Sequence, residues 1–599
     1  MIGRLRPVTG GAVADRQAVA SARPATVRFG FHPPRFPCLL WITVAVLAAS
    51  PLSFASAQQV APSQVTPPSL APPPAPGPTI ELPAGAPEAA PPAAANLSVQ
   101  VGQIDVTGTF AEFQGQTAAL LDPLRGSRMT VAQIYEAAGA LERAYAKAGF
   151  ILVRVVVPPQ KLADGGPVRF VVIDGTVERV DTSAVPERLR GVVAARMASI
   201  IGKPHVTLHD IERRLLLVSD LPGLQLRSTL ARGDTPGGTL LVVEATQNYV
   251  TGTVGFDDRL PGSLGTWTIN TSLALNDALG LGEQAYFSYS SSPDLGSPRL
   301  RVFGGGIVLP IGSDGFTLNP EYTQSQARPT PLPGTPASLG EFQRFALHAA
   351  YPLIRTREQT LSLQATAEWD DETLTTTAFG TLLYHDEYTV MRYGAHDAFA
   401  LPWGAPAVLE GTYSEGVGGR AGSALVPLSQ QGASSVFNKF NAFMSVRQPL
   451  AEKFEVDLTG RAQTSFGTPL VLSEQFSLDG ADALSSFAAG SFSVDQGASL
   501  RAELARPSTL QLIDNRPPAL FVPYLYAAYG AGELVNPTAV QKGVIDAGSA
   551  GFGVRTSAGT RVGGSPIGGF LAVEVGRQFA NVPGERGGYR ANISLNLTF

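Results

Sequence analysis

Cys38 is the only cysteine in the 599 residues. Everything after it is therefore without disulfides and thiol chemistry. Charged residues make up only 16% of the chain and the net charge is −5. That excludes a general nucleic-acid binder, whose footprint is a basic stripe. No Gly-x-Ser-x-Gly elbow and no P-loop is present, which removes the usual hydrolase nucleophile and the usual nucleotide cradle. Beyond Ala57 no apolar run reaches the ~20 residues of a spanning helix. Such a chain is either soluble in an oxidising compartment or crosses a membrane by strands. Glycine (64) and proline (48) are plentiful, which suits many short strands and turns better than long helices.

The N-terminus reads as a targeting segment. Arg4, Arg6, Arg16, Arg23, Arg28 and Arg35 form a basic lead to the apolar run Cys38–Ala49. Ala55-Ser56-Ala57 is a small-x-small cleavage signature, so residues 1–57 are expected to be a signal peptide. Residues 58–97 are dominated by proline and alanine and are expected to be a disordered linker.

The texture changes at 98. A strand-like VQVGQIDVTG precedes TVAQIYEAAGALERAYAKAG. There Thr130 suits an N-cap, and Val131, Ile134, Tyr135, Ala138, Leu141 and Tyr145 share one helical face. FILVRVVVP and PVRFVVIDG follow as strands. The order recurs from TVERVDT to GTLLVVEAT, giving two α+β modules at 98–175 and 176–246.

From 247 to 599 the helical signal mostly disappears. Segments such as TWTINTSLAL, LSLQATAEW, FEVDLTGRAQT and RANISLNLTF alternate apolar with polar or small residues, separated by turn residues. A closed membrane barrel accounts for this better than a propeller. In lipid every backbone group must pair within the protein, closure removes the free edge, and alternation matches lipid outside to water inside. The final strand is then expected to close the sheet, with Phe599 at an aromatic girdle. Bacterial outer-membrane proteins often end this way, a resemblance that implies an assembly signal at Phe599.

YAKAGFILVRVVVPPQKLADG (Tyr145–Gly165), LPG at 221–223, TPG at 235–237, LALNDALGLGEQAYFSYSSS, YPLIRTREQTL, FNKFNAFMSVRQPL and LSEQFSLDG occur in one order. In that order they resemble the outer-membrane transporters of two-partner secretion, the hemolysin secretion/activation type. The resemblance implies two periplasmic POTRA modules before a 16-stranded transmembrane β-barrel. It implies export, without ATP, of one large unfolded hemolysin- or filamentous-hemagglutinin-like partner, driven by its folding outside the cell. Implied partners are that secreted protein, outer-membrane lipids and the barrel assembly machinery; no nucleic acid, cofactor, metal or catalytic residue is implied.

An unfolded partner is expected to add as a strand to a POTRA sheet edge. Arg154, Gln160, Leu224, Leu226 and Arg227 are the candidate contacts, with a role inside its own module as the other reading of Arg154. The family's inward loop carries Val-Arg-Gly-Phe/Tyr. Here the gating-loop candidates are Asp479, Gly480, Leu484, Ser485, Ser486 and Phe487, with Ser485 where the arginine belongs. The wall segment expected to meet the loop holds Tyr526, Ala528 and Gly530, with Ala528 at the family's Asp position. Both halves of the family ion pair are thus absent, and neutral contacts around Phe487 and Tyr526 are expected to hold the loop. A different alignment instead assigns the arginine elsewhere, such as Arg501. The family's members often carry an N-terminal plug helix, and the proline-rich 58–96, with no helical period, does not let one be assigned.

Rival functions are a barrel assembly factor, a small-solute porin and an outer-membrane hydrolase. His205 and His209 have a zinc-like spacing but no third ligand, and Thr207 with Asp210 fits a helix cap instead. His385-Asp386-Glu387 is expected at a solvated barrel turn.

Overall fold

The computed structural model describes residues 60–72, 79–80 and 90–599, apart from 93, 295, 332, 452, 512–516, 540, 563–564 and 583–586. The expected signal peptide lies outside the described residues, as do residues 58–59, 73–78, 81–89 and 93 of the expected linker.

In the first module Thr130 caps the helix Val131–Lys147. Its hydroxyl accepts from the Gln133 N–H, and the Gln133 side chain accepts from the Thr130 N–H. This capping box satisfies two amides that the first helical turn leaves unpaired. The helix lays Ile134, Ala138, Leu141 and Tyr145 into a core with Phe170; each large side chain so buried contributes roughly 1.5–3 kcal/mol. Beneath it the strands run in the order Gln103–Thr107, Pro167–Ile173, Arg154–Val156.

The second module repeats the plan. Helices Glu187–Met197 and Leu208–Ser219 cover a sheet in which Leu224–Arg232, Gly238–Gln247 and Thr176–Ala184 are neighbours. Thr207 caps the second helix with Asp210. The His205 ring packs against Phe110 of the first module at 3.8 Å between centroids. The Leu208 N–H donates to the Gly149 carbonyl at 2.8 Å, adding a second tie between the modules.

From Val250 the chain forms a closed antiparallel barrel of 16 strands, each hydrogen-bonded to its sequence neighbours. One strand is interrupted after Ala505, where Pro507 offers no N–H, and resumes at Ser508–Leu510; both pieces pair with Ala519–Glu533. The seam joins the first strand to the last, from Thr253 with Thr598 to Asp257 with Ser594. Gly252 and Phe599 exchange N–H···O=C bonds just beyond it. A Cβ at Gly252 would sit 2.5 Å from the Phe599 ring, so glycine lets the terminal aromatic lie flat on the first strand.

The expected alternation is present. Ile593, Leu595 and Leu597 face outward and are exposed, while Ser594 and Asn596 between them are half-buried and Asn592 before them is buried. Many outward residues elsewhere are apolar, with Phe287 54% exposed, and Tyr322, Phe345 and Trp369 form a cross-strand aromatic row. Inward residues such as Glu321, Arg344, Asp370 and Arg501 are charged and buried.

The second module docks on the near-side barrel turns. Arg214 pairs with Asp314 at 2.6 Å, Asp220 with Arg355 at 2.7 Å and Glu212 with Arg357 at 3.1 Å. Pairs of this kind fix orientation more than they stabilise.

Candidate gate in the barrel lumen

Between strands Phe454–Thr464 and Gln496–Ala505 the chain folds back into the barrel instead of turning outside it. The root of this loop is Glu474, fully buried. It accepts from Arg392 at 2.6 Å and pairs with Lys439 at 2.7 Å. Further in, Phe476–Ser477 pairs with Ser493–Val494 as a short hairpin. Asp479 closes it by accepting from the amides of Gly490 (3.0 Å) and Phe492 (2.9 Å). Gly480 adopts φ 146° beside it.

At the tip, Leu484 and Phe487 pack with Leu478, Phe476, Phe492 and wall residue Ala528 in one apolar cluster. Gly530 lies under Leu478. Ser486 shares a hydrogen bond with the Tyr526 hydroxyl, and a Cβ at Gly576 would sit 1.9 Å from that oxygen, so the wall is glycine where the tip seats. The structure thus brings Asp479, Gly480, Leu484, Ser485, Ser486, Phe487, Tyr526, Ala528 and Gly530 into one region.

What holds Ser485 differs from the neutral contacts expected. The fully buried Arg501, on the wall strand Gln496–Ala505, donates to the Ser485 hydroxyl. It also donates to Glu503 at 2.7 Å and Glu574 at 2.6 Å, and stacks 3.9 Å from the Tyr526 ring centroid. The Ser485 hydroxyl donates to Glu574 in turn, and Asn592 donates to the Ser485 carbonyl at 2.8 Å. Arg555 completes the network on Glu503 at 2.6 Å. Two arginines thus face two carboxylates, the balance a site cut off from water needs. Arg501 is directly opposite Ala528 in strand register. The arginine therefore comes from the wall instead of the loop, and its partner is Glu574 on the strand Ser565–Ala580.

The expected linker is also corrected in part. Residues 60–72 lie inside the barrel. Val60 packs with Leu260, Leu264, Leu300 and Val302. Ser63 donates its N–H and hydroxyl to buried Glu372, and Ser69 and Leu70 donate to buried Glu321. Arg344 donates to the Pro67 carbonyl at 2.8 Å. Only Pro62–Val65 is helical, so this strap is mostly extended. It also touches the loop: Gln64 donates to the Ser493 hydroxyl at 2.8 Å, and a Cβ at Gly490 would lie 3.6 Å from that of Gln64.

The module candidates separate. Arg154 pairs with Glu142 at 2.6 Å within its own module. The Gln160 side chain donates to the Arg169 carbonyl and accepts from the Arg169 N–H, pairing with the central strand Pro167–Ile173 of its own module. Leu224 and Leu226 point into the second module's core, so they offer a partner only backbone, while Arg227 is exposed. That edge carries an added strand already: Thr79 and Ile80 pair in parallel with Arg227 and Ser228.

Two acid groups have the spacing of metal ligands. In one, Arg392 sits between Glu368 and Glu474 at 2.7 and 2.6 Å, so a guanidinium already balances it. The other, Asp371, His385 and Glu387, lies on the barrel strands, with His385 3.3 Å from Asp371.

A membrane barrel with an inward-folded loop, preceded by two α+β modules, defines an outer-membrane transporter of the POTRA-barrel class. The model of the haemolysin secretion/activation family ShlB/FhaC/HecB matches residues 237–556, and that of the ShlB-type POTRA domain matches 99–175. The chain belongs to this two-partner secretion family, and its barrel lies in the outer membrane with the modules in the periplasm. Among curated relatives, an outer membrane transporter CdiB of Escherichia coli is 27% identical over 38% of this chain and 37% of its own length. One from Dickeya dadantii is 25% identical over 60% and 64%. The alignments thus span less than two thirds of these relatives. Among solved structures, CdiB from Escherichia coli is similar in fold, with a TM-score of 0.64 at 20% identity over 90% of this chain and 94% of that one. CdiB from Acinetobacter baumannii has 0.55 at 18% over 84% and 90%.

Proposed function

We propose that this chain exports a large unfolded protein of the hemolysin or adhesin kind through its barrel, capturing it at the second POTRA module. The observation that carries the reading is the edge strand Leu224–Arg232, which accepts an extended segment by backbone pairing, as Thr79–Ile80 does. An arriving strand gains the same main-chain bonds whatever its side chains, while exposed Gln225, Arg227 and Thr229 read its sequence. The named function of the curated relatives, outer membrane transporter, points the same way. Export through the lumen requires the loop and the strap to leave, and we attribute the driving force to the partner folding outside the cell rather than to nucleotide hydrolysis. Insertion of the barrel by the assembly machinery, with the terminal strand as its signal, belongs to the same reading.

The test is export of the secreted protein co-expressed with this chain. Deleting 98–246 is expected to abolish its appearance in the medium while the barrel still inserts, and continued export contradicts the reading. Hydrogen exchange locates the contact. Amides of 224–232 are expected to gain protection when the partner's N-terminal domain is added, and protection confined to other strands contradicts the assignment.

A further inference from the structure

The lipid-facing wall carries a feature that transport does not use. Strands Leu300–Ile311 and Phe316–Ala327 are paired neighbours, and their far ends reach the extracellular rim. Arg301 is outward there, opposite Gln326. The ladder continues one step further, where the Arg328 N–H donates to the Arg299 carbonyl at 2.7 Å. Alternation places Arg299 on the face of Arg301, two residues away. Three arginines thus crowd one strand pair, and Arg299 and Arg328 are exposed. Among the described residues none of the three guanidinium groups has an acidic partner.

Below them the wall is hollowed. A recess of about 240 Å³ is lined by Arg301, Phe303, Gln324 and Gln326. Phe303 belongs to the aromatic level that includes Tyr322, and aromatics of this kind mark the membrane–water interface. The recess therefore sits at headgroup height in the outer leaflet. Unpaired cations on a lipid-facing wall are costly unless an anion meets them. Guanidinium groups bind phosphate bidentately, and the Gln324 amide beside them suits sugar hydroxyls and acyl carbonyls, while Gln326 donates to Glu341 on the next strand at 2.8 Å.

We propose that Arg299, Arg301 and Arg328 bind the phosphorylated sugar headgroup of an outer-leaflet glycolipid, with its first acyl atoms against Phe303. The occupant is a lipid rather than a protein because the recess opens at the level where acyl chains end. The proposal rests on the membrane placement of the barrel but not on its cargo.

The test uses the full chain in detergent with diphosphoryl lipid A as probe. Lipid A is expected to stay bound in native mass spectrometry and to raise the unfolding midpoint. Phosphatidylethanolamine is expected to do neither. Replacing all three arginines by alanine is expected to weaken binding by about tenfold or more, and Arg301→Lys, which keeps the charge but not the fork of donors, is expected to lose less than the triple variant. Equal binding by the triple variant overturns the proposal, as does phosphatidylethanolamine matching lipid A on the parent. Should the triple variant fail to form the heat-modifiable barrel, the double variant Arg299→Ala with Arg301→Ala decides in the same way. A parent that forms no heat-modifiable barrel is a failure of the membrane reading instead.

Discussion

Arg501 joins the inward loop to the barrel wall. It meets Ser485 on one side and Glu503 and Glu574 on the other, with Tyr526 under its plane. Arg501→Ala leaves two carboxylates facing one arginine in a buried site, which costs roughly 3–5 kcal/mol. Ser485→Ala removes one neutral partner and costs about 1 kcal/mol. The midpoint of heat modifiability on gels is expected to rank them in that order. Moving the arginine is more discriminating. Ser485→Arg alone sets two guanidinium groups side by side and is expected to destabilise; adding Arg501→Ser leaves one arginine for Glu574 and is expected to restore most of the loss. A double-mutant cycle that shows additivity contradicts the contact. The loop residues were legible because the family pattern brackets them. Arg501 was less so: ASLRAELA marks it as inward by alternation, but its partner Glu574 lies 73 residues away in sequence.

At the scale of elements, the strap is the part the sequence hid. Proline and alanine give residues 58–72 no helical or strand period, and their partners Glu321 and Glu372 lie about 250 and 309 residues on. Helices and barrel strands were legible because each satisfies its own periodicity, 3.6 or 2, whatever lies opposite. Two glutamates that accept amides from the strap have no such local signal. Glu372→Gln and Glu321→Gln together are expected to loosen the strap, read as faster hydrogen exchange at Ser63 and Leu70, with the barrel amides unchanged. In the second module, Glu178 accepts from the Thr235 amide and hydroxyl and from the Asp234 amide, and these bonds hold its carboxyl below the usual range. The stability it adds to the turn is present above its unfolded-state pKa and is lost as pH falls through the lower folded value. Glu178→Gln is therefore expected to flatten the acid-side loss of protection at residues 234–238.

For the whole molecule, three segments far apart in sequence close one lumen: the strap, the inward loop and the wall that grips the loop tip. The second module is braced on the near-side turns by ion pairs at Arg214, Arg355 and Arg357, so module and barrel share one connected frame. The central claim is that strap and loop must both leave the lumen for cargo to pass. It is tested most directly by locking them together. A Cβ at Gly490 lies 3.6 Å from that of Gln64, within disulfide range, and the native chain has no cysteine beyond Cys38 to compete. Gly490 has a positive φ and a Cβ there would also sit 2.9 Å from Val60, so Gly490→Cys carries some strain and serves as its own reduced control. The pair Gln64→Cys with Gly490→Cys is expected to cross-link in the resting state, to stop export of the co-expressed partner relative to Gly490→Cys alone, and to release it when a reductant is added. Undiminished export by the fully cross-linked protein would contradict the account.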